Sequence, residues 1–239
     1  MTSPHIDILP DKPALVQRAL ELTVEQIQAA IAEQGRCTLA LAGGSTPEPL
    51  YAALAEQDLP WDKLFIFWGD ERYVPVDHPD SNAGMAKRAL LDKVPIPVEQ
   101  IIVAPTGGGD LQVDAEAYER SIRAAFGDYE GFPQFDLILL GMGDDGHTAS
   151  LFPHTEALQV CDRLIAVGNK DGQPRLTFTV PLINQAKRVI FLVAGANKQT
   201  ALAQVFAAEA DPNQYPSRYI RAAEIWWLLD AEAGKQLSD

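Results

Sequence analysis

Phe135–Leu140 (FDLILL), running directly into Gly141–His147 (GMGDDGH), is the stretch that decides the fold. A short apolar run that stops at a glycine predicts a strand buried on both faces. The same pattern recurs on either side of it. Towards the N-terminus lie Leu64–Trp68 (LFIFW), Cys37–Ala42 (CTLALA) and a short opening strand, His5–Leu9. Towards the C-terminus, strands are expected near Leu164–Val167, Leu176–Val180, Arg188–Val193 and Ile225–Leu229.

Between these strands the period changes to that of a helix. Val16, Leu20, Val24, Ile27 and Ile31 fall on one helical face, with Gly35 as the stop signal. A second helix follows Gly43–Pro47, a third spans roughly Ser81–Leu91, and a later one starts at Asn197. Leu111, Ala115, Tyr118, Ile122 and Phe126 mark another amphipathic face. Continuous apolar strands alternating with amphipathic helices imply an α/β protein, a mostly parallel twisted sheet with helices on both faces. No internal repeat or domain linker is visible, so residues 1–239 are expected to form one domain.

Composition narrows the function. A formal net charge of −14 argues against binding nucleic acid through a basic surface. It leaves open a small anionic substrate held by a few cations in a cleft. Cys37 and Cys161 are the only cysteines and form no Cys-x-x-Cys pattern, so neither a disulfide framework nor a zinc site is expected. The N-terminus lacks a basic region followed by an apolar one, and no run is long enough to span a bilayer. A cytoplasmic location without membrane association is the expectation.

The polar, glycine-rich segments fall at the C-terminal ends of predicted strands, the edge where open α/β sheets bind ligands. Gly43, Gly44, Ser45 and Thr46 can form a phosphate cradle of amides and hydroxyls, or simply cap the following helix. Gly69–Arg72 (GDER) can place Asp70 and Arg72 in a cleft, where Arg72 would bind phosphate or steady an oxyanion; the alternative is a solvated loop with a local ion pair. His147 can move a proton near neutral pH, with Asp144 or Asp145 orienting its ring. Amides at Gly141, Gly143 and Gly146 can face the ligand. Asp145, His147 and His154 are a thin set of metal ligands, and an activated ester can be hydrolysed without metal, so no metal or other cofactor is expected. Arg175 and Lys198, each beside an apolar strand, are either surface charges or parts of a phosphate pocket.

LAGGSTPEPLY, FWGDERYVPVDHPDSNAGMAKRALL, LGMGDDGHTASLFP and RLTFTVPLINQAKRV, in this order, resemble the motif set of the 6-phosphogluconolactonases. These belong to a wider family with the glucosamine-6-phosphate deaminases. The resemblance covers about Leu39 to Leu229. It implies the deaminase/ribose-5-phosphate isomerase-like fold and hydrolysis of 6-phospho-D-glucono-1,5-lactone in the oxidative pentose phosphate pathway. It also implies that His147 is general base for water, supported by Asp145, with Asp70 and Arg72 at the reacting end. Gly43–Thr46, Gly146, Arg175 and Lys198 would hold the phosphorylated substrate. As a partner, the glucose-6-phosphate dehydrogenase that makes the lactone is compatible with this reading.

Two rivals remain. A sugar-phosphate isomerase or deaminase would need an acid shortly after the histidine, where this chain has Phe152. A non-catalytic sugar-phosphate sensor would usually carry a DNA-binding helix-turn-helix, for which there is no room before the first core strand. No Gly-x-Ser-x-Gly elbow supports a serine esterase.

Overall fold

The computed structural model describes residues 3–237. In chain order the elements are β1 (His5–Leu9), α1 (Lys12–Gln34), β2 (Cys37–Leu41), α2 (Glu48–Leu54), β3 (Leu64–Trp68) and β4 (Asp70–Arg72). Then come α3 (Asn82–Ala89), α4 (Leu111–Ala125), β5 (Leu137–Gly141), β6 (Ile165–Lys170) and β7 (Gln173–Phe178). The remainder is α5 (Val180–Asn184), β8 (Arg188–Val193), α6 (Gln199–Phe206), β9 (Glu224–Asp230) and α7 (Ala231–Gly234).

Six strands form one sheet in the order β1-β9-β8-β5-β2-β3, and every neighbouring pair is parallel. Side chains alternate between its faces, which divides the core in two. Leu39, Leu41, Ile66, Trp68, Leu137, Leu139, Ile190 and Leu192 pack with Leu15, Leu22 and Ile27 of α1, Leu50 and Leu54 of α2 and Met85 of α3. Ala40, Phe67, Ile138, Leu140, Phe191 and Trp227 point the other way, against Tyr118 and Ile122 of α4, Leu182 of α5 and Leu202 of α6. Removing this apolar surface from water on both sides of a sheet stabilises it by about 25 cal/mol per Å².

The chain leaves β2 for β3 in one direction across the sheet, and then returns to lay β5, β8 and β9 on the other side of β2. The loops after β2 and β5 therefore diverge, and a crevice opens between them. Two tyrosines hold the backbone at this edge. The Tyr51 hydroxyl donates to the Ala42 carbonyl (2.6 Å) and accepts from its amide (2.8 Å). The Tyr118 hydroxyl does the same for Trp68, at 2.9 Å each way. Both residues lie where the parallel ladder is ending and backbone groups need other partners.

Beyond the parallel sheet lies a second, antiparallel sheet, β4-β7-β6, which the apolar pattern did not separate from the first. Its β4 is the GDER segment, so those residues form an edge strand instead of a solvated loop. Val180, expected in a strand, instead opens α5; Thr179 precedes it in extended conformation and Pro181 occupies the first helical turn. The β2 strand ends at Leu41, one residue before the expected end.

Candidate active site

Period-2 alternation along β4 does most of the local arranging. Asp70, Glu71 and Arg72 register with Thr177, Leu176 and Arg175 of β7. Asp70 and Arg72 share one face, and both line a cleft of about 280 Å³. Glu71 points the other way, into the protein, where it is 2% exposed. There its carboxylate accepts from the amides of Arg72 (2.7 Å), Asn82 (2.8 Å) and Ala83 (2.7 Å) and from the Ser81 hydroxyl (3.1 Å). Burial pushes its carboxyl up, and the amides oppose that without cancelling it. The middle acid of the motif is thus structural: it ties β4 to the start of α3.

Asp70 is pinned from two sides. Ser150 Oγ donates to Asp70 Oδ2 at 2.6 Å, while Asn82 Nδ2 donates to the Asp70 carbonyl at 2.9 Å and, more weakly, to Oδ1 at 3.4 Å. Arg72 Nη1 donates to the Asp80 carbonyl at 2.9 Å, and its Nε is buried without a partner among the described residues.

The loop after β5 carries the imidazole. His147 Nδ1 lies 2.5 Å from Asp145 Oδ1, and the same oxygen accepts from the His147 amide at 3.0 Å. Of the two aspartates offered by the sequence, Asp145 is the one that orients the ring, while Asp144 is exposed. Burial works to raise the Asp145 carboxyl, but the hydrogen bonds from His147 and its charge outweigh that, and the carboxyl is held down at about 2. Gly143 is required here, because a Cβ at that position would run into the His147 ring. Phe152 packs on the imidazole from another side, with ring centroids 4.6 Å apart. With Nδ1 engaged, Nε2 makes no hydrogen bond among the described residues, and the side chain lines the cleft at 19% exposure. A half-buried base with one nitrogen tied and the other open is what proton transfer to a ligand needs.

Gly43 and Lys198 line the same cleft and also an adjoining one, together with Gly44, Ser45, Thr46 and Asn197. The capping alternative for Ser45 and Thr46 is not realised. The N-cap of α2 is Pro47, which offers no side-chain acceptor, and neither hydroxyl makes a hydrogen bond among the described residues. Gly146 is buried within the loop; its carbonyl accepts from the Ser217 hydroxyl at 2.8 Å, and it does not line the cleft. Arg175 does not line the central cleft either. It borders a neighbouring depression that meets the cleft at Arg72, directly across from it in the β4–β7 register. Burial first, and then the charge of Arg72, lower the pKa of its guanidinium.

His154 turns to Gln214 (2.8 Å), and among the described residues no group of three or more His, Cys, Asp or Glu could hold a metal. Nor is any described helix long and apolar enough to cross a membrane. Sequence reasoning passed over Asn82 and Lys170, which line the cleft. Lys170, on the β6–β7 hairpin, sits 5.6 Å from the Phe152 ring and helps lower Asp145. Asn82 had a local signal: the second polar residue of a Ser-Asn pair, when Ser81 alone suffices to cap α3.

The family model of glucosamine-6-phosphate isomerases/6-phosphogluconolactonase matches residues 10–227. The chain is 60% identical to a 6-phosphogluconolactonase of Synechocystis over 98% of its own length and 99% of that protein's. Its structure superposes on 6-phosphogluconolactonase from Trypanosoma brucei with a TM-score of 0.86 at 30% identity, covering 99% and 100% of the two chains. It also matches a monomeric glucosamine-6-phosphate deaminase at a TM-score of 0.81, covering 97% and 99% of the two chains; at 20% identity that likeness speaks to the fold alone.

Proposed function

The chain belongs to the glucosamine-6-phosphate isomerase/6-phosphogluconolactonase family and is a lactone hydrolase, and from that premise we propose how its cleft works on 6-phospho-D-glucono-1,5-lactone in the pentose phosphate pathway. The observation that carries the proposal is the Asp145–His147 pair, 2.5 Å between Oδ1 and Nδ1, with Nε2 open to a cleft that also holds Asp70, Arg72 and Lys198.

A lactone is an activated ester, so no covalent nucleophile is needed. Nε2 of His147 takes a proton from water as the water oxygen attacks the lactone carbonyl carbon. The carbonyl oxygen becomes an oxyanion, stabilised by the Arg72 guanidinium or by cleft amides. When the tetrahedral intermediate collapses, the bond from the carbonyl carbon to the ring oxygen breaks, and the proton on His147 passes to that oxygen. The product is 6-phospho-D-gluconate. Asp145 keeps the proton on Nδ1 and stabilises the imidazolium that forms in between.

The phosphate, far from the reacting carbon, fixes orientation. Lys198 and the Ser45 and Thr46 hydroxyls are its holders, since all three face one recess beside the cleft. Arg175 adds positive charge from the neighbouring depression that it borders with Arg72. A chain of net charge −14 can attract this anion because Arg72, Lys170 and Lys198 concentrate positive charge where it binds.

The test is acid release from freshly made 6-phosphogluconolactone, measured against its spontaneous hydrolysis, beside ammonia release from glucosamine 6-phosphate. Acceleration of the first and none of the second is expected, because Phe152 places an apolar ring against His147 where ring opening would want an acid. Appreciable ammonia release would overturn the reading.

A further inference from the structure

We propose that Asn82 is a specificity-determining residue of this reaction: its side-chain oxygen accepts a hydrogen bond from a ring hydroxyl of the bound lactone. The proposal rests on the lactonase reading and adds to it a residue that selects among substrates.

The Asn82 amide has only one consistent orientation. Its nitrogen faces two acceptors of Asp70, the carbonyl at 2.9 Å and Oδ1 at 3.4 Å, and an amide oxygen in that place would face them with no hydrogen to share. The oxygen is therefore directed away from Asp70. It lies over Gly43, close enough that a Cβ on residue 43 would collide with Asn82 Oδ1. Asn82 is 2% exposed, it lines the central cleft, and no donor among the described residues reaches its oxygen. What access the residue has is to the cleft it lines, so the oxygen is an acceptor that a ligand seated there can engage in place of water. The lactone carbonyl and the phosphate carry no donor, whereas the ring hydroxyls do.

The side chain is also rigid before anything binds. Its Nδ2 is tied to Asp70, its backbone N–H donates to Glu71 at 2.8 Å, and Ser81 caps the helix that Asn82 begins, accepting from Gly84 at 3.0 Å. A hydroxyl meeting this oxygen meets an acceptor that has no rotamer freedom left to lose. A substrate without that hydroxyl leaves the oxygen unpaired, and the loss is larger than that of an ordinary exposed hydrogen bond.

The measurement is kcat/KM for 6-phosphogluconolactone and for its 2-deoxy, 3-deoxy and 4-deoxy counterparts, with the native protein and with Asn82→Ala. Asn82→Ser is carried in parallel should the alanine variant not fold. The native protein is expected to favour the parent over one of the deoxy lactones by about 10-fold. In the variant that preference falls towards unity, because the hydroxyl has lost its acceptor. A residue that merely props Asp70 would lower all four values together and leave the ratios untouched; that result overturns the proposal. Equal turnover of all four lactones by the native protein also overturns it while leaving the lactonase reading intact. Failure to hydrolyse the parent lactone removes both.

Discussion

The two ends of the parallel sheet each hold a hydrogen-bonded aspartate, and they have opposite fates. At the N-terminal end Asp136 is fully buried. It accepts from Gln34 Nε2 (2.7 and 2.8 Å), from the Thr38 amide and hydroxyl (2.9 Å each), and lies 3.2 Å from Lys187 Nζ. Both of its oxygens are engaged by protein groups, and it ties α1, β2 and the start of β5 together. At the C-terminal end Asp145 is also engaged, but by His147, whose second nitrogen is left open. Asn82 beside it is likewise held through its nitrogen, while its oxygen has no donor among the described residues. A closed network contributes stability, whereas an open one keeps a polar group that a ligand can still engage.

The contrast is broken most directly by His147→Ala. Turnover should fall by about 10²- to 10⁴-fold, the usual worth of a positioned general base, with the thermal midpoint nearly unchanged. Near-native kcat in a folded variant would mean that the base lies elsewhere. Asp136→Ala should do the reverse. Stripping the buried acceptor from Thr38 and Gln34 should cost about 2–4 kcal/mol in denaturant unfolding, while kcat per folded molecule stays the same. If activity fell with little loss of stability, the two ends would be coupled and the division drawn here would fail.

The smallest effect concerns pH. The Asp145 carboxyl is held at about 2 in the folded protein, against an ordinary 3.8. Its contribution to stability is therefore present above about pH 4 and is lost as the pH falls through 2. Unfolding curves of the native protein and of Asp145→Asn should differ near pH 5 and converge as the pH drops towards 2. A constant gap across that window would mean that the Asp145–His147 pair does not depress the carboxyl.

Much of this was legible from residue order alone. FDLILL and LFIFW announced buried strands because a strand covered on both faces is filled by apolar residues, and the one polar residue in these runs, Asp136, falls just before β5 begins at Leu137. Gly35 stopped α1 where expected, and Ser81 capped α3. His147 stood out because a titratable ring at a glycine-bounded strand end is seldom there for packing, whereas Asp70, Arg72 and Lys198 each kept a bland reading beside the functional one until the resemblance was added. The two roles of the GDER acids were not legible. Asp70 and Glu71 are equivalent as text, and only the pairing of β4 with β7 sends one to the cleft and the other to the helix start. Arg175 and Lys198 looked alike for the same reason, yet they border different recesses.

The sequence by itself determined the layered α/β architecture and gathered the glycine-rich polar segments, the imidazole among them, at one edge of the sheet, because these follow from hydrophobic period and local glycine placement. Tertiary structure decided which aspartate serves that imidazole, that Phe152 packs against it, and that Asn82 presents an unpaired oxygen above Gly43. The first two depend on how the loop after β5 turns, since Asp145 is two residues before His147 and Phe152 five after it, and the third on where the start of α3 comes to rest against the loop after β2. Neither the conformation of an irregular loop nor a contact between residues tens of positions apart leaves a periodic trace along the chain, so the folded structure alone could assign them.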